Sequence, residues 1–195
     1  MYIVFEGIDG AGKSTQIKIL KEWLEDNGLQ VETVVEPTDS DVGKLIRKLL
    51  TQPNATSETM QKTLGLLFAA DRLLLMDKIT NYEKENKVVL SDRSFISSLA
   101  YQDPQDWINN INRYAKEPDL VLLLDLDLKT SLSRCLKEDK FENEEFLSKV
   151  KENYLNLIKN YNHIIIDANN GPNKVSNDIK KSIAPLVGLC SSCII

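Results

Sequence analysis

One short segment near the amino terminus limits the folds open to this chain more than any other. Residues 7–14 read Gly-Ile-Asp-Gly-Ala-Gly-Lys-Ser and match the pattern G-x-x-x-x-G-K-[ST] at every fixed position. An apolar run precedes the segment and a helical pattern follows it, which is the strand–loop–helix context that the pattern requires. Glycines let backbone N–H groups turn inward around phosphates, at the positive end of a helix. The segment therefore predicts a phosphate-binding loop in an α/β domain.

The rest of the chain alternates short apolar runs with longer helical patterns, as βαβ units do. Strands are predicted at residues 2–6, 30–36, 88–91, 120–125 and 163–167. Helices are predicted at residues 13–27, 42–50, 58–85, 95–102, 106–116, 128–138, 144–161 and 174–186. The strand interiors are almost entirely apolar, as in strands that are covered on both faces. We expect an α/β fold of three layers, in which helices flank a five-stranded parallel sheet, and a single domain over residues 1–195.

Bulk properties restrict the partners of the chain. A formal net charge of −5 argues against a nucleic-acid-binding surface, because binding a polyanion usually needs a broad basic patch. The sequence has neither a signal-peptide pattern nor an apolar run long enough to span a membrane, so a cytoplasmic protein is expected. Cys190 and Cys193 have C-x-x-C spacing but lack a second ligand pair, so an incidental tail is the favoured interpretation over a metal or redox site.

Two pairs of side chains have the chemistry that polyphosphate binding needs. Lys13 is predicted to reach the β- and γ-phosphates of ATP, and the hydroxyl of Ser14 to ligate Mg²⁺. Asp92 and Arg93 follow a predicted strand, at the edge where open α/β sheets bind ligands. Asp92 is expected to order the Mg²⁺ shell, and Arg93 to compensate phosphate charge. The alternative for this second pair is a surface ion pair that caps the next helix.

Further short motifs accompany this loop in a particular order. They are residues 5–16, Glu36-Pro37-Thr38, residues 67–72, Asp92-Arg93-Ser94, residues 97–102, Pro118-Asp119-Leu120 and Ile166-Asp167-Ala168. In this order and spacing the chain resembles the thymidylate kinase family of P-loop nucleoside-monophosphate kinases, from Tyr2 to about Ile183. The resemblance implies transfer of the γ-phosphoryl group of ATP to dTMP, with Mg²⁺, in dTTP biosynthesis. It also implies a homodimer, for which the long apolar helix at residues 58–85 offers a surface.

The resemblance assigns roles at particular positions. The ATP phosphates would be held by Gly7, Gly10, Ala11, Gly12, Lys13, Ser14 and Thr15. Catalytic roles would fall to Lys13, Asp9, Arg93 and Arg134. The dTMP site would be formed by Asp9, Phe68, Arg72, Arg93, Ser98, Tyr101 and Gln102. In this scheme Asp9 lies near the sugar 3′-hydroxyl, while Phe68 stacks on thymine.

The remaining acceptor roles concern the base edge and the sugar. Arg72 and Ser98 would hold the base, and the ring of Tyr101 would occupy the space that a ribose 2′-hydroxyl needs. Phe68 and Arg72 are four residues apart, so one helix face can present both to one ligand. Without the resemblance, a core role would be favoured for Phe68, because leucines surround it, and the alternative for Tyr101 is a packed rim residue.

The chain departs from the family pattern at several positions. Val35 stands where an arginine often precedes Glu-Pro, Thr38-Asp39 replaces Gly-Gly, and Gly10 occupies a place that some members fill with arginine. Members without that arginine have basic residues in a lid, and residues 134–143 fit such a segment. Arg134 is the principal candidate, with Lys137 and Lys140 as others; the alternative is a solvated helix end.

Two other functions stay open from the sequence. A deoxyribonucleoside kinase can also have Glu-Pro and Asp-Arg-Ser motifs, but it needs a general base for a neutral 5′-hydroxyl, whereas dTMP already carries its nucleophilic oxygen. A regulatory P-loop protein would bind nucleotide without transfer. His163 begins a predicted strand without an evident partner, so we expect a structural role for it.

Overall fold

The computed structural model describes residues 1–134 and 144–190. Within these ranges, five strands form one parallel sheet in the order β2-β3-β1-β4-β5. The strands are β1 (Tyr2–Glu6), β2 (Val31–Val35), β3 (Val88–Asp92), β4 (Leu120–Asp125) and β5 (His163–Asp167). The predicted α/β fold with a five-stranded parallel sheet flanked by helices is confirmed.

Helices connect the strands and cover the sheet. They are α1 (Lys13–Asp26), α2 (Asp41–Leu50), α3 (Glu58–Lys84), α4 (Phe95–Tyr101), α5 (Gln105–Ile111), α6 (Leu128–Arg134), α7 (Glu144–Leu157) and α8 (Pro172–Ile183). Short 3₁₀ turns follow at Ile158–Asn160 and Ala184–Val187. No helix in the described ranges has the length and apolarity needed to cross a bilayer.

The predicted helix ends were wrong at three places. The helix predicted to reach residue 116 ends at Ile111, because the side chain of Asn112 caps the Ile108 carbonyl at 2.8 Å. The helix predicted to reach residue 161 changes to 3₁₀ geometry at Ile158. The helix predicted from residue 174 begins at Pro172, since proline suits a first helical turn, where its missing N–H costs nothing.

The central strand β1 determines where the functional loops meet. All five of its residues are buried, and β1 pairs with β3 on one side and with β4 on the other. In this register Phe5 lies opposite Asp92, so the chain leaves both strands at the same edge of the sheet. Ligands bind at this edge of parallel sheets, because loops and helix N-termini converge there. The phosphate-binding loop and the Asp92–Arg93 pair are therefore neighbours.

Candidate active site

The loop after β1 has a backbone that only glycine adopts easily. Gly7, Gly10 and Gly12 have φ angles of 137°, 75° and 90°, in the left-handed region. A Cβ atom on Gly7 would also lie 2.6 Å from the carbonyl oxygen of Leu124. Helix α1 begins directly after Gly12, so its first amides and the side chains of Ser14 and Thr15 stand at the mouth of the loop.

Lys13 lies across this loop rather than in solvent. Its Nζ donates hydrogen bonds to the carbonyl oxygens of Gly7 and Ile8 at 3.0 and 3.2 Å, and only 7% of the residue is exposed. Burial, together with the positive charge of Arg93, lowers the pKa of Lys13 to about 8. A phosphate anion beside this ammonium group would reverse that shift, so the loop favours an anionic ligand.

Ser14 and Asp92 form a compact pair of oxygen donors. The Ser14 hydroxyl donates a hydrogen bond to Asp92 Oδ2 at 2.5 Å across the gap between α1 and β3. A hydroxyl and a carboxylate beside a phosphate loop suit Mg²⁺, which prefers a few protein oxygens together with phosphate oxygens and water. The described ranges contain no group of three histidine, cysteine or acidic residues that could hold a metal ion alone.

Arg93 joins the phosphate loop to the next helices. Its backbone has a φ of 73°, and its guanidinium group contacts the carboxylate of Asp9 and lies 5.2 Å from the ring centre of Tyr101. Burial opposes ionisation of Asp9, but Arg93 and Lys13 lower its pKa below the ordinary value. The loop residue Asp9 and the strand-end residue Arg93 thus meet as an ion pair.

A cavity of about 210 Å³ opens beside this ion pair. Its lining contains all seven residues predicted for the acceptor site, namely Asp9, Phe68, Arg72, Arg93, Ser98, Tyr101 and Gln102. Phe68 is half-buried at the cavity wall and does not belong to the hydrophobic core cluster. The sequence left a core role for Phe68 open, and its position favours the role of a ligand-contacting ring.

Arg72 is fixed at the floor of the cavity. It forms a buried ion pair with Glu36 at 2.6 Å, contacts the side-chain oxygen of Asn112 and donates to the Ser98 hydroxyl at 3.2 Å. Burial raises the pKa of Glu36, and the adjacent Arg72 opposes that rise. Glu36 therefore holds Arg72 at the cavity floor.

Three buried oxygen atoms in the cavity lining have no hydrogen-bond partner among the described residues. They are Glu36 Oε1, Gln102 Oε1 and the hydroxyl oxygen of Tyr101. A buried acceptor without a partner costs about 1–3 kcal/mol, so such atoms usually meet a ligand or water. Their position indicates a polar ligand with hydrogen-bond donors.

Comparison with known proteins agrees with this arrangement. A family model described as "Thymidylate kinase" matches residues 5–179, which include every residue of the site. A probable thymidylate kinase of Methanobrevibacter smithii is 72% identical over 194 residues, covering 100% of both chains. Those of Methanosphaera stadtmanae and Methanothermobacter thermautotrophicus are 51% identical, over 94% of this chain and 97% of the relative, and 45% identical, over 100% of both. The chain belongs to the thymidylate kinase family.

The described residues include one candidate of the predicted lid, Arg134. Arg134, at the end of α6, donates a hydrogen bond to the carbonyl oxygen of Gly10 at 3.0 Å, so its guanidinium group lies at the phosphate loop. Residues 135–143, with Lys137 and Lys140, lie outside the described residues, as does Cys193. Arg134 is therefore the one lid candidate whose position can be stated.

The sequence did not reveal several residues that support the site. Asp71 is 1% exposed and accepts hydrogen bonds from the Thr38 amide, the Thr38 hydroxyl and the Ser40 hydroxyl, each at 2.6 Å. It holds the loop that brings Pro37 to the cavity wall. The replacement of Gly-Gly by Thr38-Asp39 was the available signal, because a threonine there supplies a hydroxyl that glycine lacks.

Replacing Asp71 with asparagine should loosen this loop. Asparagine would place an N–H group where Asp71 places an acceptor oxygen, facing the donors of Thr38 and Ser40. We therefore expect the free energy of unfolding to fall by about 2 kcal/mol. Urea unfolding measures this change, and Asp77→Asn, on the exposed face of the same helix, is the matched control. Equal stabilities for the two variants would contradict the role given to Asp71.

Proposed function

We propose that this chain transfers the γ-phosphoryl group of ATP to dTMP, giving ADP and dTDP. One observation carries the proposal: Asp9 belongs both to the phosphate loop and to the cavity lining, and Arg93 of the cavity wall pairs with it at this boundary. A donor held by the loop and an acceptor held in the cavity would therefore meet at Arg93. Membership of the thymidylate kinase family supports the same reaction.

Phosphoryl transfer needs positioning and charge compensation more than covalent chemistry. Lys13 would bind the β- and γ-phosphates, while Arg93 would bind oxygens of the group in transit. Ser14 and Asp92 would hold Mg²⁺, which neutralises charge on the phosphates. The acceptor oxygen of dTMP is already ionised at neutral pH, so no side chain has to act as general base. This is the chemical difference from a deoxyribonucleoside kinase.

The form of the cavity supports a pyrimidine deoxynucleotide as acceptor. Phe68 offers an apolar ring to a base, and the fixed guanidinium group of Arg72 offers hydrogen-bond donors to a carbonyl group on that base. Gln102 supplies an unpaired acceptor for a donor on the ligand. A pocket distinguishes thymine from uracil by one methyl group, worth about 1–3 kcal/mol, so dUMP should be a slower substrate.

The experiment that tests the proposal is an assay of purified protein with Mg·ATP and a panel of acceptors. ADP formation with dTMP, well above that with thymidine or the ribonucleoside monophosphates, is the expected result. Turnover of thymidine but not of dTMP would replace the proposal with a deoxyribonucleoside kinase. Nucleotide binding without turnover of any acceptor would favour a regulatory protein.

Tyr101→Ala should weaken discrimination against ribose. The tyrosine ring lies against Arg93 at the cavity wall, where its removal opens space for a 2′-hydroxyl. We expect the ratio of kcat/KM for dTMP to that for its ribose analogue to fall about tenfold. The control is Tyr114→Ala, an exposed tyrosine outside the cavity. An unchanged ratio in Tyr101→Ala would remove the sugar-selecting role.

Arg134→Ala should slow transfer without changing the acceptor site. Its guanidinium group lies at the Gly10 carbonyl, where it can offset charge that develops on the phosphates. We expect kcat to fall about tenfold and the KM for ATP to rise, with the KM for dTMP unchanged. Lys129→Ala, on the same helix, is the matched control. Unaltered kcat and ATP KM would show that Arg134 is not the lid cation.

A homodimer in the cytoplasm completes the proposal. The exposed face of α3 bears Leu66, Leu73 and Leu74, which are 54%, 46% and 64% exposed and spaced seven and eight residues apart on one side of the helix. An exposed apolar stripe of this kind is typical of an association surface. Sedimentation should give a dimer that Leu73→Glu dissociates; a wild-type monomer at working concentration would contradict it.

A further inference from the structure

Glu6 is a buried carboxyl group that the proposed reaction does not use directly. It ends β1, is 0% exposed and accepts hydrogen bonds from the hydroxyls of Ser94, Ser97 and Tyr154 at 2.6, 2.6 and 3.0 Å. Burial raises the pKa of Glu6, while the three donated hydrogen bonds and Arg93 oppose that rise. Burying a carboxylate costs free energy, so a buried carboxylate that is held by three donors indicates a specific role in the structure.

Two of these three hydroxyl groups, those of Ser97 and Tyr154, also contact Arg93. Its guanidinium group donates to the Ser97 oxygen at 3.0 Å and to the Tyr154 oxygen at 3.1 Å. A hydroxyl has one proton and two lone pairs, so a hydroxyl that gives its proton to Glu6 must turn lone pairs toward Arg93. The carboxylate thereby makes both hydroxyls acceptors on the side of the guanidinium group.

We infer that Glu6 is a positioning residue for Arg93. Glu6 acts through the hydroxyls of Ser97 and Tyr154, which aim the guanidinium group of Arg93 at the transferring phosphate. The inference rests on the proposed phosphoryl transfer, because Arg93 is given its role there. Glu6 itself does not line the cavity, so it is not placed to contact the acceptor.

The network also joins α7 to the active site. Tyr154 belongs to α7, and the amino-terminal part of this helix supplies Phe146 and Leu147 to the cavity wall. The Tyr154 ring packs edge-on against Tyr101, with ring centres 6.1 Å apart. Arg93 is therefore held from the phosphate loop by Asp9 and from α7 by Tyr154, and Glu6 sets the second of these contacts.

A double-mutant cycle tests the inference. Glu6→Gln keeps the shape of the side chain but replaces one acceptor oxygen with an N–H donor, so one hydroxyl can turn its proton toward Arg93. With saturating ATP and dTMP, we expect Glu6→Gln to lower kcat about tenfold in the wild-type background. In the Arg93→Ala background the same substitution should lower kcat less than about twofold. The KM for ATP should change less than kcat, because the hydrogen bonds from Lys13 to the loop carbonyls do not involve Glu6.

Equal fold losses in the two backgrounds would mean that Glu6 supports only the fold, and would overturn the inference. If Glu6→Gln does not fold, Tyr154→Phe goes through the same cycle with the same criterion, with Tyr161→Phe as its matched control. A crystal structure of Glu6→Gln, or of Tyr154→Phe in its place, gives a readout without turnover. Arg93 displaced from Ser97 supports the inference, and an unmoved Arg93 overturns it. Absence of dTMP turnover in the wild type would instead overturn the proposed function alone.

Discussion

Lys13→Met should lower kcat for dTMP phosphorylation about 10³-fold, because it removes the one ammonium group inside the phosphate loop. Methionine matches the length of the lysine stem, so the loop keeps its packing while the charge is lost. A coupled assay of ADP formation at saturating dTMP measures the loss. The affinity for dTMP should change little, since Lys13 does not line the acceptor cavity.

The matched control is Lys18→Met, an exposed lysine on the same helix. It should leave kcat within about twofold of wild type, because a solvated lysine on an exposed face contributes little to a distant site. Comparable losses in Lys13→Met and Lys18→Met would mean that the variants affect α1 as a whole. A Lys13→Met variant with normal kcat would remove the loop from the proposed mechanism.

The same substitution should also change how the free energy of unfolding depends on pH. The pKa of Lys13 is about 8 in the folded protein and 10.5 for an ordinary lysine, so between these values the unfolded chain binds the additional proton. The free energy of unfolding then rises with pH over this window, since stability rises wherever the unfolded state binds more protons. This rise should be present in wild type and missing from Lys13→Met when the two are compared by urea unfolding.

Most of the fold could be predicted from local sequence patterns, because tertiary contacts do not override them. The five apolar runs became the five strands of the sheet, and the three central strands β1, β3 and β4 are buried because helices cover both of their faces. The first helix was predicted to within one residue of its end, where Gly28 follows the capping residue Asn27 with a φ of 84°. The end of α5 could not be predicted, because it depends on Asn112 turning toward Arg72, forty residues away in the chain.

The candidate site also contains some residues that the sequence predicts and others that it does not. The phosphate loop could be predicted, because its chemistry lies in eight consecutive residues. The acceptor residues come from separate elements, and only the family resemblance indicated that Phe68, Ser98 and Tyr101 face one cavity. The contact between Glu6 and Tyr154 could not be predicted, because the two residues are 148 positions apart in the chain. A buried polar network is defined by contacts that one sequence does not contain.

Arg93→Ala should produce the second large effect, a fall in kcat of about 10³-fold, which is at the lower end of what an arginine on a transferring phosphate contributes. Five neighbours fix its guanidinium group: Asp9, Gly7, Ser97, Tyr154 and the ring of Tyr101. A group held this firmly loses little freedom when the phosphate arrives, so its interaction is available to the transition state. Steady-state kinetics with dTMP and Mg·ATP measures the loss.

Arg93→Lys separates charge from geometry at this position. Lysine keeps the positive charge but offers one ammonium point in place of a planar fork, so it cannot contact Asp9, Ser97 and a phosphate oxygen together. We therefore expect Arg93→Lys to recover less than about tenfold of the loss, while Arg113→Ala, an exposed arginine that contacts Tyr114, stays at wild-type kcat. Full recovery by lysine would mean that net charge is sufficient, and the network of Glu6, Ser97 and Tyr154 would then have no catalytic purpose.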